Sequence, residues 1–385
     1  MQDKVQKMTP EIRFKGYTDD WVLRKLGEVV NITMGQSPSS VNYTDDSSYD
    51  VLVQGNADLK NGWVIPRVWT KQVTKKGKRG DIILSVRAPV GEVAKTSFDV
   101  VLGRGVASVT GNEFVYQALL RLKTNGYWRR LSTGSTFESI NSNDIKNANL
   151  FFTEKNEQQA IGSLFKKIDN LIVLQQRKID TLKLLKKALL QQIIPENNHI
   201  IPRIRPIHFK EPWNQDKINN IFKVTRGQVL SATLVSEVKT DIKKYPVYSS
   251  QTKNNGLLGY FDKFLFEDAI TWTTDGANAG TVNFRKGKFY STNVNGVLIS
   301  KDKYANQLIA EIINRIAWKY VSKVGNPKLM NNVMSDIKIC VPLNYDEQNI
   351  MSLLLQNLDD FLNLNNQKII QIKTVKKSLL QKMFM

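Results

Sequence analysis

The chain has 385 residues, enough for two or three domains with sizeable cores, and its 41% hydrophobic and 9% aromatic content reads as globular rather than disordered. Lysine and arginine number 55 against 35 acidic residues, and the formal charge of +20 points to a polyanionic partner: DNA, RNA or an anionic membrane surface. No run of about 18 apolar residues marks a membrane span, and the first 14 residues lack the apolar core of a signal peptide.

The first 20 residues are polar and expected to be loosely held. Asp20-Trp21 then leads into a short apolar segment (Leu23, Leu26, Val29, Val30, Ile32) that ends in a turn at Met34–Pro38. Short apolar runs follow: Tyr49–Val53, Trp63–Val68, Asp81–Val86, Glu92–Ala94 and Ala107–Val109. Gly and Pro signals at Asn61-Gly62, Lys78–Gly80, Ala88–Gly91 and Gly103–Gly105 separate them, as in a mixed, β-rich module. The spacing of Val115, Ala118, Leu119, Leu122 and Tyr127 predicts a helix over Glu113–Arg130, followed by a loop at Ser132–Asn143 with Thr133–Thr136 at its tip.

A long helix is predicted next, some 50 Å in extent at ~1.5 Å per residue and ended by Pro195. Its apolar stripe is narrow and near-heptad, which suits a coiled-coil seam at Ile161, Leu164, Ile168, Leu171, Leu182, Leu185 and Leu189. Gln175 and Lys178 interrupt that seam, as register-fixing polar residues do. After a Pro- and Asn-rich linker, Glu196–Pro206, the pattern starts again. Residues 156–195 lie over 346–385 without a gap, at an offset of 190, with 13 of 40 positions identical. Composition alone gives roughly two or three. At offset 192 the module entrance also matches: Arg13/Arg205, Trp21/Trp213, Lys25/Lys217, Thr33/Thr225, Gly35/Gly227 and Gln36/Gln228. A helix near Gln307–Val321 mirrors Glu113–Arg130, with Trp318 opposite Trp128. A second seam is expected at Leu354, Leu358, Phe361, Ile372, Val375 and Leu379. The repeat therefore covers the whole chain.

The expected layout is α+β: a first β-rich globule (1–152), a long helix (153–195), the linker (196–206), a second globule (207–343) and a second long helix (344–385). The linker reaches at most ~40 Å when stretched, too little to run back comfortably along a 50 Å helix. An antiparallel intramolecular helix pair with a pseudo-two-fold relation, and the globules at opposite ends, is the expected arrangement. Two basic globules held apart by a rigid spacer suit a reader of split sites on duplex DNA. The module interiors match only loosely, so each would read a different short sequence.

Candidate DNA contacts in the first module are Arg67, Lys71, Lys75, Lys76, Lys78, Arg79, Arg87 and Arg104. In the second they are Lys243, Lys244, Lys253, Asn254, Asn255, Arg285, Lys286, Lys288, Lys323, Asn326 and Lys328. Most such residues touch phosphates; Arg to guanine and Asn to adenine are the base-reading pairs. A catalytic residue set is not evident. His199 and His208 have no companions at metal-ligand spacing, no P-loop is present, and Asp81 with Glu92-x-x-Lys95 is only loosely nuclease-like. The single cysteine, Cys340, excludes an intramolecular disulfide and is expected to be buried and inert, which fits a cytoplasmic protein.

Several segments resemble the specificity (S) subunits of type I restriction-modification enzymes. They are Pro10–Phe14 with Asp19–Trp21 and Arg24–Glu28; Gly80–Gly91; Gly134-Ser135-Thr136 followed by Ile140; Glu157-Gln158 opening a long helix; and Tyr245–Ser249 with Asn255-Gly256. The resemblance implies two target recognition domains, each reading one half of a bipartite asymmetric DNA site. It implies that the helices set the spacer and dock two methyltransferase (M) subunits, which recruit motor-nuclease (R) subunits to direct DNA methylation and restriction. S-adenosylmethionine, ATP and Mg would belong to those partners, and this chain would be non-catalytic, one copy per complex. Val324–Pro327 and Arg203–Pro206 depart from the family pattern in the second module. A different reading is a homodimeric coiled-coil protein that binds RNA or the ribosome; a third is a stand-alone nuclease.

Overall fold

The computed structural model describes residues 8–132, 138–195, 199–250 and 253–385. The Gly134-Ser135-Thr136 motif and the side chain of Lys253 lie outside the described residues. The fold is mixed α+β and comprises two compact units. One takes the chain as far as Gln176 together with Gln367–Met385; the other takes Arg177–Asn366. Four helices organise the two units: α1 (Glu113–Thr124), α2 (Lys155–Ile193), α3 (Gln307–Ala317) and α4 (Tyr345–Lys382). Both unit boundaries fall inside the long helices, so each unit holds part of α2 and part of α4.

In the first unit a six-stranded sheet runs in the order Ile32–Met34, Val106–Val109, Ile82–Ser85, Val93–Lys95, Trp63–Val64, Leu59–Lys60. A five-stranded sheet, in which Asp50–Val53 pairs in parallel with Val100–Leu102, lies beside it. The second unit has one six-stranded sheet: Phe222–Arg226, Asn295–Ser300, Phe266–Thr273, Val282–Ser291, Tyr245–Tyr248, Leu257–Phe261. The helix predicted over Glu113–Arg130 breaks at Gly126 (φ 70°), because a left-handed residue ends one helix before Tyr127–Leu131 begins. The run Trp63–Val68 is likewise split, only Trp63–Val64 being strand.

The repeated residues build the same lock twice. Arg13 Nε and Nη2 donate to Glu157 at 2.7 and 2.9 Å, and Trp21 Nε1 donates to the same carboxylate at 3.2 Å. In the second unit Arg205 donates to Glu347 at 2.8 and 2.7 Å, and Trp213 Nε1 adds a bond at 3.3 Å. Both glutamates are buried, and each is fully paired, as a buried charge must be. Gln158 ties the capping residue Asn112 of α1 to its own helix, and Gln348 does so for Asn306 of α3.

Within each unit the two long helices run antiparallel. In the first, Asp169 of α2 receives Lys376 of α4 at 2.6 Å, and Phe165 meets Phe384 with ring centroids 5.8 Å apart. In the second, Lys186 of α2 donates to Asp359 of α4 and Glu311 of α3, both at 2.7 Å, while Ile193 joins Met351 and Leu355 in the core. Asp169/Asp359 and Lys186/Lys376 are themselves repeat identities. Burial pulls the Lys186 pKa down, but the two carboxylates outweigh it and the net shift is upward. Two acids share one ammonium, so burial and the neighbouring Glu311 raise Asp359 despite Lys186.

The seam differs from the expected row. Ile161 is buried, and Leu164, Ile168, Leu182, Leu189, Leu358, Ile372 and Leu379 are half-buried. Leu171, Leu185, Leu354, Phe361 and Val375 are exposed. On α4 the buried row is Met351, Leu355, Leu362, Asn365, Ile369 and Leu380. The helices carry apolar residues side by side, as at Leu353-Leu354-Leu355 and Leu171-Ile172, which point about 100° apart, and only one of each set faces inward. Cys340 is half-buried rather than buried, and burial pushes its thiol up to about 11, so it stays protonated.

Candidate nucleic-acid interface

In each unit one edge of the sheets gathers loop residues in an equivalent way. In the first unit the parallel strands Asp50–Val53 and Val100–Leu102 end together, with Gly103 N donating to Val53 O at 2.8 Å. In the second, Tyr245–Tyr248 and Val282–Ser291 end together, with Thr292 N donating to Tyr248 O at 2.9 Å. The repeated Gly-Gln pair lies under both edges. Gln36 N bonds Leu102 O at 2.8 Å, and Gln228 N bonds Ser291 O at 3.0 Å. A Cβ on Gly35 would collide with Gly103 O, and one on Gly227 with Ser291 O, so both positions need glycine. A third loop joins each edge: Ile140 N reaches Val86 O at 3.0 Å, and Leu329 N reaches Thr274 O at 2.8 Å.

These edges sort the candidate contacts. In the first unit Arg67, Arg87 and Arg104 are exposed and gather there with Gln54 and Asn56. Arg67 lines a cavity of about 440 Å³ with those two residues, Ala88 and Pro89. Arg104 N donates to Ser37 Oγ at 3.0 Å, and Val86 N donates to Gly105 O at 2.9 Å, which fixes the adjoining loops. Lys75 is exposed, and its carbonyl accepts from Leu102 N beside the edge. Lys76, Lys78 and Arg79 lie towards the opposite ends of the same strands: Lys76 pairs with Asp50 at 3.3 Å, Lys78 N bonds Asp81, and Arg79 N bonds Asp99 at 2.8 Å. Lys71 sits 5.5 Å over the Tyr49 ring.

In the second unit Asn254 and Asn255 are exposed on the loop between Tyr245–Tyr248 and Leu257–Phe261. Both hold left-handed φ values, 50° and 52°. Lys328 borders the same edge, 4.0 Å from Asp275, with Lys323 and Asn326 exposed nearby in the chain. Lys244 lies at the far end of its strand over Tyr245, and Lys286 and Lys288 are exposed along Val282–Ser291. Two candidates are not free for DNA. Arg285 is 6% exposed, packs 3.8 Å over the Tyr248 ring and donates to Thr271 at 3.1 Å; burial pushes its guanidinium down to about 10. Lys243 is half-buried and its ammonium donates to Leu234 O at 2.7 Å. Arg285 looks like a surface charge in sequence, but the Tyr248 ring from the neighbouring strand packs against it.

Sequence reasoning missed Gln54, Asn56, Asp58 and Gln228. The Gly-Gln repeat at offset 192 was the signal that could have located the edge. The loosely nuclease-like trio is dispersed among other partners: Asp81 accepts from Ser108 at 2.6 Å, Glu92 pairs with Lys123 and Lys95 pairs with Glu113, each at 2.7 Å. Among the described residues no His, Cys, Asp and Glu cluster is arranged to hold a metal ion, and no helix is long and apolar enough to cross a membrane.

The sequence model of the type I restriction modification DNA specificity domain matches twice, over residues 18–184 and 210–374. The chain belongs to this family. The two specificity-domain matches each include one of the edges described above. A Methanocaldococcus jannaschii relative, whose name provisionally assigns it as the specificity subunit of the type I restriction enzyme MjaX, is 30% identical over 184 residues, 46% of this chain and 43% of the relative. The match thus spans under half the length of that relative. A Mycoplasma pneumoniae relative, named provisionally as the N-terminal part of a type I specificity subunit, is 36% identical over 148 residues, 38% of this chain and 75% of the relative. The crystal structure of a type I restriction-modification S subunit from M. genitalium superposes with a TM-score of 0.71 at 16% identity, covering 98% of this chain and 99% of that one, a likeness of fold.

Proposed function

We propose that the chain is the DNA-reading specificity subunit of a type I restriction-modification enzyme. Each unit reads one half of a split, asymmetric DNA site through its sheet edge. The observation that carries this reading is one edge built twice on the same backbone bonds, with Arg, Gln and Asn side chains that differ between the copies. An excess of +20 charges supports a nucleic-acid partner. The long helices set the spacer between half-sites. The exposed apolar residues Leu171 and Leu174 with Ile370 and Val375 in the first unit, and Leu184, Leu185, Leu354, Phe361 and Leu364 in the second, suit docking of two methyltransferase subunits, through which motor-nuclease subunits join. Chemistry belongs to those partners, with S-adenosylmethionine, ATP and Mg bound there, and the assembly acts on DNA in the cytoplasm with one copy of this chain.

Exchange of residues 220–333 for the equivalent segment of a relative tests the reading. Methylated positions mapped in cells carrying the chimaera and its partners are expected to change in one half of the site only. A change in both halves would overturn it. One heptad added at matched points of α2 and α4 is expected to lengthen the spacer while both half-sequences persist.

A further inference from the structure

We propose that Arg67 reads a guanine in the half-site of the first unit, and that Asp58 is its positioning residue; this rests on the specificity-subunit reading above. The Asp58 carboxylate is buried, with its side chain 6% exposed. Its Oδ2 accepts from the backbone N–H groups of Gln54 and Gly55 at 2.8 and 3.2 Å, which anchors that oxygen to the backbone. Its Oδ1 receives Arg67 Nη1 at 3.4 Å. Ile65 N donates to Asp58 O at 2.8 Å, so the loop that carries the acid and the segment that carries the arginine are joined through the backbone as well. The Arg67 side chain remains 49% exposed on the wall of the cavity with Gln54, Asn56, Ala88 and Pro89.

A phosphate contact gains nothing from this arrangement. An adjacent carboxylate weakens the positive field that attracts a phosphate, and a phosphate accepts a guanidinium from many directions. A base edge has the opposite needs. Guanine offers O6 and N7 as two fixed, uncharged acceptors, matched by a planar fork held in one orientation. Asp58 supplies that orientation from a buried, backbone-anchored position. Gln54 and Asn56 line the same cavity as the arginine, and amides beside a guanidinium suit a row of base contacts rather than a phosphate clamp.

The test uses the full chain assembled with its methyltransferase subunits, and methylation rates on duplexes in which each base pair of the wild-type site is changed in turn. R67K keeps the charge and loses the fork. It is expected to lower the preference for one G·C pair, in one half of the site, by roughly five- to hundred-fold, with discrimination in the other half intact. D58N keeps an acceptor for the backbone N–H groups but no longer holds Arg67. It is expected to lose discrimination at the same base pair to a smaller degree. Unchanged sequence preference in R67K overturns the proposal. So does a loss in R67Q that is uniform across sequences with a shallower salt dependence, the mark of a phosphate contact. If R67K does not assemble, R67Q is read in the same way, and failure of both assigns Arg67 a structural role and overturns the proposal. If the wild-type complex methylates no defined split sequence, the specificity-subunit reading itself fails.

Discussion

Trp128 and Trp318 occupy matching places in the two units and meet opposite fates. Trp128 is 1% exposed and packs on Gly91; Trp318 is 57% exposed, with its Nε1 donating to the carbonyl of Arg315 in the preceding helix α3. Glu157 and Glu347, by contrast, share an Arg and a Trp partner and the same burial, Thr153 Oγ1 donating to Glu157 in addition. Repeat positions that join a globule to its helices have kept both residue and environment. Positions nearer the sheet edges have kept the backbone route and changed the surface.

The largest expected effect tests the constant part. E157A leaves Arg13 and Trp21 without their buried acceptor and is expected to cost about 3–5 kcal/mol, and E347A the same within about 1 kcal/mol. Denaturant unfolding followed at two probes, one per unit, measures both; a several-fold disparity would break the equivalence. The next contrast uses the tryptophans. W128A is expected to cost about 3–5 kcal/mol through the cavity it leaves, whereas W318A stays within about 1 kcal/mol of wild type.

A smaller effect comes from Lys186, whose removal leaves Glu311 and Asp359 facing each other. K186M is expected to cost about 1–3 kcal/mol at neutral pH, because the group is only partly buried. The Asp359 pKa is already raised in the folded protein, so the folded state binds its proton at a higher pH than the unfolded chain does. The ionised form is therefore the costly one, and the K186M deficit is expected to shrink as pH falls from 7 towards 5. In wild type the Lys186 contribution is complete below its unfolded value of 10.5 and is lost as pH rises through its higher folded value. Thermal unfolding across that range reads both limbs. The smallest effect on stability is expected from L354D on the outward face of α4, within about 0.5 kcal/mol. The same change is expected to abolish co-purification with methyltransferase subunits, and normal assembly would count against docking at that face.

The sequence made the two modules and the two long helices legible, because a helix-length apolar period and 13 aligned identities survive in one dimension, and the short linker gave the helix direction. It did not reveal which apolar stripe is covered. Lys186 looks like a surface lysine until Glu311 and Asp359 arrive from other parts of the chain. The five-stranded sheet was equally hard to read, since three of its strands are two residues long and lack any alternation to detect. The sheet edge that gathers the candidate contacts is assembled from strand ends far apart in sequence. Arg67, Arg87 and Arg104 could be picked out as basic residues in loops, but their separation from Lys78 and Arg79 depends on sheet register alone.

The hydrophobic core of the first unit is closed by Leu380, Met383 and Phe384, and Lys376 lies 207 residues beyond its partner Asp169. At translation rates of ~5–20 residues per second, roughly 10–40 s separate the synthesis of the two. Throughout that interval Trp21, Phe114 and Phe165 have no Phe384 to cover them. The first unit's core thus keeps one face open until the last turns of α4 have been made.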